Sequence, residues 1–245
     1  LARVVAEHEL TLAFVTGRHL GLVLDAISRY DLPVPEFAIC DVGTSIYQRR
    51  GGDWRDLPSW FARLAQEWPD TDAAVEAVAE LEGLRPQEPE RQGPFKLSWY
   101  APALARPDAL LERVYAHLDH FPARLVYSID ETTGTGLLDM IPLRAGKLAA
   151  IQHLLETEGV EPECTLFAGD SGNDLDVLAS SIPAVLVANA TDEVRKEAIE
   201  LSEAHGTESR LYLATGNLEG MNGNYAAGIL EGLAHYWPET LEWIR

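Results

Sequence analysis

TLFAGDSGNDLDVL, residues 165–178, is the stretch of this sequence that decides its fold. Its first residues, Thr165 to Ala168, have the pattern of a short buried strand, and an apolar helical pattern starts at Leu175. Between them, Asp170 and Asp174 lie at the C-terminal end of the strand, where open α/β sheets bind their ligands. Two such carboxylates repel each other unless a cation is present, and oxygen ligands suit Mg²⁺ that shares its coordination with a phosphate. The alternative is a turn and helix cap without a metal.

Composition and charge limit the class of protein. A chain of 245 residues that is 47% hydrophobic is long enough for one large domain or two modest ones, and we expect one core domain with an insertion. The formal charge of -20 argues against nucleic acid or an anionic membrane surface as partner. No apolar run is long enough to span a membrane and no signal segment opens the chain, so we expect a cytoplasmic protein. Cys40 and Cys164 lie in apolar runs, which predicts buried free thiols.

A strand-to-helix turn near the start of the chain is a candidate phosphate site. Leu10 to Val15 is an apolar run typical of a buried strand, and helical spacing begins at Leu20. Thr16, Gly17 and Arg18 lie between them. A hydroxyl beside backbone N–H groups at a helix start can bind phosphate, although a threonine there is often only an N-cap.

The next elements carry no obvious chemistry. We predict a strand at Phe37 to Cys40, a return strand at Ser45 to Gln48, and a loop at Arg49 to Gly52. Two helical patterns follow, at Pro58 to Trp68 and Thr71 to Leu81.

A small inserted unit follows the linker-like stretch Glu82 to Pro94. Its pattern is a strand (Phe95 to Tyr100), a helix (Pro107 to His120) and two strands (Arg124 to Ile129 and Leu137 to Ile141). This βαββ order is too small for a full domain and suits a lid inserted into a larger one.

Asp130 follows the third strand of that unit and has two interpretations. With Thr132 and Thr133 nearby it could be a nucleophilic carboxylate at a strand end. The turn-rich composition up to Gly136 favours an ordinary hairpin.

Strand and helix alternate again after the insertion. PLRAGK, residues 142–147, leads into a helix whose first turn contains Lys147, a cation that the helix dipole disfavours unless an anion is bound. The alternative is a surface lysine with a buried stem. Further strands at Ala184 to Val187 and Leu211 to Ala214, each followed by a helical pattern, complete a doubly wound parallel sheet with an insertion.

Three segments resemble signature motifs of the haloacid dehalogenase (HAD) superfamily of phosphatases. They are FVTGR (14–18), AGK (145–147) and AGDSGNDLDVL (168–178), in the order of the family's second, third and fourth motifs. The resemblance implies a Rossmann-like HAD core in residues 1–82 and 143–245, and a C2B-type α/β cap in residues 83–142.

Three more segments are similar to the sucrose-phosphatase-like branch of that superfamily. They are DVGTSIY (41–47), FKLSWY (95–100) and NYAAGILEGLAHY (224–236). This similarity implies a phosphoric monoester hydrolase whose substrate is sucrose 6-phosphate or a related glycoside phosphate.

The resemblance also implies roles for single residues. Asp170 would bind Mg²⁺ directly, and Asp174 would either bind it or hold its waters. Thr16 and Lys147 would act in catalysis as donors to the phosphoryl oxygens. The residues implied in further phosphate or substrate contacts are Gly17, Arg18, Lys96, Asn173 and Asn189. From its pattern alone, Lys96 is equally well interpreted as an exposed lysine.

The family's nucleophile motif, DxDxT, is absent from this sequence. The fifteen residues before Thr16 contain no aspartate. We expect the nucleophile and the first strand to lie upstream of Leu1, and little turnover by the chain as given. The alternative is a non-catalytic sugar-phosphate-binding or regulatory domain attached to a glycosyltransferase.

Overall fold

The structure is a computed structural model that describes residues 1–8, 10–68, 71–104, 106–118, 121–130 and 133–245. His120 and Thr132, which occur in predicted features, lie outside these residues. The chain divides into two compact units. Unit 1 comprises Leu1–Ala13, Asp25–Glu36 and Ile151–Arg245, and unit 2 comprises Phe14–Leu24 and Phe37–Ala150. The domain boundaries expected from the motifs, after residues 82 and 142, do not coincide with these units and stay a prediction.

Strands and helices alternate along most of the described chain. The strands are β1 (Ala13–Val15), β2 (Phe37–Cys40), β3 (Ser45–Arg50), β4 (Asp53–Asp56), β5 (Arg85–Pro86), β6 (Leu97–Ala101), β7 (Ala123–Asp130), β8 (Thr135–Pro142), β9 (Phe167–Gly169), β10 (Ala184–Leu186) and β11 (Leu211–Leu213). The helices are α1 (Ala2–Glu7), α2 (Leu20–Tyr30), α3 (Pro58–Ala65), α4 (Asp72–Ala79), α5 (Asp108–His117), α6 (Lys147–Glu158), α7 (Leu175–Leu178), α8 (Asp192–His205), α9 (Tyr225–Tyr236) and α10 (Leu241–Ile244). None of the helices in the described part of the chain has the length and hydropathy needed to span a membrane.

Unit 1 contains a parallel sheet in the order β11-β10-β9. The central strand β10 is buried throughout, as strands covered on both faces are. Helix α9 packs closely on it because a Cβ atom on Gly232 would lie 2.7 Å from Cβ of Val185. The three parallel strands and their helices confirm the α/β class expected from the sequence.

Unit 2 contains two sheets. In one, of order β1-β2-β3-β4, which unit 2 contains except for Ala13 of β1, β3 is antiparallel to both of its neighbours. The other has the order β5-β6-β8-β7 and pairs antiparallel throughout. Its core residues Val114 and Leu138 are fully buried, and Val78 of α4 belongs to the same hydrophobic cluster. The predicted βαββ order is therefore present, and helix α4 packs with it.

Four sequence expectations are corrected. Arg49 to Gly52 is not simply a loop, because β3 runs to Arg50 and two left-handed glycines turn the chain into β4. The predicted linker Glu82 to Pro94 contributes β5 to a sheet. The helical pattern at Leu175 yields only the four residues of α7. Cys40 is buried as expected, but Cys164 is exposed, because it ends a short 3₁₀ turn ahead of β9 rather than lying in the strand.

Candidate active site

The acidic turn after β9 is organised by the side chain of Asp174. This residue is 5% exposed, and its Oδ2 accepts hydrogen bonds from the backbone N–H of Asp170 (3.2 Å) and of Ser171 (3.1 Å) and from the Ser171 hydroxyl (2.9 Å). A Cβ atom on Gly169 would lie 2.8 Å from Cγ of Asp174. Any residue other than glycine at position 169 would therefore collide with the Asp174 carboxylate. Asp174 therefore has a structural role in the turn.

Asp170 is exposed, and its carboxylate is oriented by Asn189. The Asn189 amide donates to Oδ2 of Asp170 at 2.7 Å, and its Oδ1 accepts from the backbone N–H of Tyr225 at 2.8 Å. Asn173 lies in the turn itself, where its Oδ1, 2.8 Å from the Ser171 hydroxyl, shares the proton of that hydroxyl with Oδ2 of Asp174. The structure thus links Asn189 directly to the expected metal ligand Asp170.

The donor set of this turn fits a hard cation. Within the described residues there is no group of three or more His, Cys, Asp or Glu side chains that could hold a metal ion. Mg²⁺ does not need one, because it is commonly bound by one or two carboxylates together with waters and substrate phosphate. Asp170 and Asp174 supply oxygen atoms only, which is the chemistry that Mg²⁺ prefers.

The predicted phosphate-binding turn in unit 2 is ordered by backbone contacts. The N–H of Thr16 donates to the carbonyl of Ile39 at 2.9 Å, and the N–H of Arg18 donates to the Thr16 hydroxyl at 3.2 Å. Helix α2 begins only at Leu20, so Thr16 is not its N-cap. Gly17 lies between these two residues, and the Arg18 side chain is exposed.

A buried turn at Asp41–Gly43 contacts this segment. Asp41, Val42 and Gly43 have φ angles of +52°, +58° and +88°. The N–H of Val42 donates to the carbonyl of Thr16 at 3.2 Å, and the N–H of Asp41 donates to the carbonyl of Arg18 at 3.0 Å. Two consecutive non-glycine residues in the left-handed region are costly and are held there by these surroundings.

The same turn also contacts the start of α6. A Cβ atom on Gly43 would lie 2.3 Å from the carbonyl carbon of Gly146 and 2.6 Å from the backbone nitrogen of Lys147. Lys147 is the first residue of α6 and is 4% exposed, so the alternative of a surface lysine is wrong. The structure therefore brings the Thr16 and Lys147 segments to one turn, which sequence reasoning had given no chemical role.

Lys96 is buried in an ion pair with that turn. Its Nζ lies 3.0 Å from Oδ1 of Asp41, and the two side chains are 6% and 9% exposed. The interpretation of Lys96 as an exposed lysine is therefore wrong. The sequence contained no signal for this pairing, because the two residues belong to elements far apart in the chain.

Asp139 on β8 extends this buried polar cluster. Its Oδ1 accepts a hydrogen bond from the Ser98 hydroxyl. Burial raises the pKa of Asp139, while the positive charge of Lys96 and the hydrogen bond from Ser98 oppose the shift. Burial and the Asp41 carboxylate raise the pKa of the adjacent Cys40 thiol to about 12, against the effect of Lys96.

Comparison with known proteins identifies the family. The model of the family "Sucrose-6F-phosphate phosphohydrolase" matches residues 1–237. The chain belongs to this family. A HAD-like hydrolase of Nitrosococcus oceani is 45% identical over 250 residues, covering 100% of this chain and 67% of that protein. Sucrose-phosphatase 1 of Nicotiana tabacum is 30% identical over 236 residues, covering 92% of this chain and 50% of its own length.

A solved structure shares the fold. The sucrose-phosphatase of Synechocystis sp. PCC6803, in complex with sucrose and phosphate, superposes with a TM-score of 0.77 at 27% identity, covering 95% of this chain and 87% of that one. The expected HAD fold, an α/β core with a cap, is thereby confirmed. This chain spans about half the length of the tobacco relative.

Proposed function

We propose that this chain is the phosphate- and sugar-binding part of a Mg²⁺-dependent phosphatase that hydrolyses sucrose 6-phosphate or a related glycoside phosphate. The observation that carries the proposal is the Asp41–Gly43 turn, which contacts the Thr16 segment, the start of α6 at Lys147, and the ammonium group of Lys96. Groups that can bind phosphate and groups that can bind sugar hydroxyls thus contact the same buried turn.

The phosphate would be bound by Thr16 and Lys147. The Thr16 hydroxyl is a neutral donor, and the Lys147 ammonium makes the stronger, charge-assisted hydrogen bond. Lys147 is buried at the first position of α6, so a phosphate bound there would lie close to a positive charge away from bulk water. Gly17 and Arg18 would add backbone and side-chain donors at the edge of the same turn.

The sugar would be recognised by the cluster of Lys96, Asp41 and Asp139. Each sugar hydroxyl is both a donor and an acceptor, so a site with an ammonium group beside carboxylates can satisfy both functions. The Ser98 hydroxyl adds another group of the same kind. The choice of sugar among glycoside phosphates would depend on the spacing of these groups.

Catalysis would proceed through an aspartyl phosphate. We propose that the attacking aspartate and the acid that protonates the leaving sugar oxygen lie outside these 245 residues, because no DxDxT segment occurs among them. Asp170 would ligate Mg²⁺, with Asp174 holding the turn and contributing a second oxygen. Bound Mg²⁺ would supply charge neutralisation for the carboxylate and phosphate groups. Asn189 would orient Asp170, and Asn173 would contact phosphate or metal-bound water. The predicted cytoplasmic location stays a prediction.

The binding part of the proposal is tested by titrating inorganic phosphate into this chain in a calorimeter. We expect Lys147→Met to weaken phosphate binding at least tenfold, since a charge-assisted hydrogen bond is lost. Lys196→Met is the matched control, because that lysine is on the exposed surface of α8. Equal phosphate affinity in the wild-type and Lys147→Met proteins would contradict the assignment.

The catalytic part is tested by assaying phosphate release from sucrose 6-phosphate with and without Mg²⁺. The chain of 245 residues should bind the substrate with little or no turnover. Fast Mg²⁺-dependent phosphate release by this chain would refute the proposal that the nucleophile lies outside these residues. Asp130 would then again be a candidate nucleophile. The same assay on the complete gene product separates a phosphatase from a non-catalytic domain attached to a glycosyltransferase.

A further inference from the structure

Glu231 on α9 is a buried carboxylate that the proposed reaction does not use. It is 5% exposed, and its Oε1 accepts hydrogen bonds from the Tyr212 hydroxyl and from the backbone N–H and hydroxyl of Thr215, all at 2.8 Å. Its Oε2 accepts from the N–H of Gly216 at 2.9 Å. Burial opposes ionisation of Glu231, but the hydrogen bonds from Thr215, Tyr212 and Gly216 outweigh it and lower its pKa. A charged carboxylate thus fixes the first two residues of the loop 215–224.

The two ends of this loop contact each other. Gly216 and Gly223 have φ angles of +80° and +72°, and a Cβ atom on Gly223 would lie 2.8 Å from the backbone nitrogen of Gly216. The carbonyl of Gly223 accepts a hydrogen bond from the N–H of Ala188 at 2.9 Å. Gly216 and Gly223 are therefore in contact, so the hydrogen bond that fixes Gly216 also fixes Gly223 beside the segment that follows β10.

Asn189, the next residue of that segment, connects the loop to the acidic turn. The N–H of Tyr225 can only donate and the Asp170 carboxylate can only accept, so the Asn189 amide has one possible orientation between them. The path from Glu231 to Asp170 consists of contacts within unit 1. The steps are hydrogen bonds, one glycine contact that leaves no space for a side chain, and the peptide bond between Ala188 and Asn189.

We propose that Glu231 is a positioning residue that fixes the orientation of the Asp170 carboxylate through the loop 215–224 and Asn189. The inference rests on the proposed function, in which Asp170 is a ligand of Mg²⁺. Groups that hydrogen-bond to a metal ligand, as Asn189 does to Asp170, typically change metal affinity by about 10–100-fold when they are removed, and Glu231 would act through this group. A carboxylate that only stabilised the fold would leave the affinity of the folded protein unchanged.

The test is a calorimetric titration of Mg²⁺ into the full chain, with the melting temperature of each variant measured in parallel. We expect Glu231→Ala to weaken Mg²⁺ binding by about 10–100-fold. Glu231→Gln keeps an acceptor for Tyr212 and Thr215 but presents its amide to Gly216, so its loss should be intermediate. Glu197→Gln, on the exposed face of α8, is the matched control and should bind Mg²⁺ like the wild type.

Three further variants decide between the possible outcomes. Asn189→Ala should lose as much affinity as Glu231→Ala, and the double variant should lose no more than either single one, because both act through one path. A lower melting temperature with unchanged Mg²⁺ affinity in both Glu231 variants would overturn the inference, as would losses that multiply in the double variant. If Asp170→Asn also binds Mg²⁺ like the wild type, or the wild type binds none, the metal assignment of the proposed function fails and the inference with it. A defect in Asp170→Asn alone overturns only the role of Glu231.

Discussion

Replacing Gly43 by alanine tests most directly whether the Asp41–Gly43 turn packs against the start of α6 in the candidate site. The new methyl group would lie 2.3 Å from the carbonyl carbon of Gly146, 2.4 Å from its oxygen and 2.6 Å from the nitrogen of Lys147. All three are backbone atoms, so relief requires movement of the chain at the start of α6. Overpacking of this kind costs about 1–3 kcal/mol. The φ angle of +88° adds about 1–2 kcal/mol for a residue with a Cβ atom.

Gly51→Ala is the matched control for this prediction. Gly51 also has a positive φ, +61°, but a Cβ atom there would meet nothing within 4 Å. The control therefore carries the backbone cost alone, and the difference in the free energy of unfolding between the two variants isolates the steric cost of about 1–3 kcal/mol.

Urea denaturation followed by circular dichroism measures both variants. Gly43→Ala should also bind inorganic phosphate more weakly than Gly51→Ala does, because the displaced backbone belongs to Lys147. Equal destabilisation of the two variants, with equal phosphate affinity, would refute the argument that the turn at Asp41–Gly43 packs against this segment.

Three further predictions concern the buried cluster and the cysteines. Lys96→Met should lower the free energy of unfolding, measured in urea, by about 3–5 kcal/mol, because it leaves the Asp41 carboxylate buried without its counter-charge. The control Lys196→Met, at an exposed lysine, should lower it by less than about 1 kcal/mol. Similar losses of stability in the two variants would contradict the ion pair. Because the pKa of Asp139 is raised above its ordinary value of 3.8, the stability that its protonated form contributes is present below that pH and lost as the pH rises through the folded-state pKa. Wild type should therefore lose stability relative to Asp139→Asn as the pH rises above about 4, and a gain in relative stability would contradict the raised pKa. A thiol reagent at pH 8 should label Cys164 rapidly in the native protein and Cys40 only in denaturant, since Cys40 is buried and its pKa is about 12; equal labelling rates would show that Cys40 is accessible.

The sequence by itself determined the local elements and the family. The spacing of apolar residues predicted α2, α5 and α6, and Gly159, with φ +67°, follows the last residue of α6. These features depend on the dihedral preferences and the burial of residues that are neighbours in the chain. They can therefore be predicted from short stretches of sequence. The GDSGND turn is of the same kind, because Asp174 bonds to backbone groups three and four residues away.

Only the tertiary structure decided which distant residues support the site. The pairing of Asp41 with Lys96, the contact of Gly43 with Gly146, and the path from Glu231 to Asp170 each join segments separated by many residues. The spacing of apolar residues does not predict such contacts, because they depend on how the helices and strands are arranged in space and not on which residues form each of them. For the same reason Lys96 was interpretable from sequence as an exposed lysine, although its charge is buried against a carboxylate that folding brings to it.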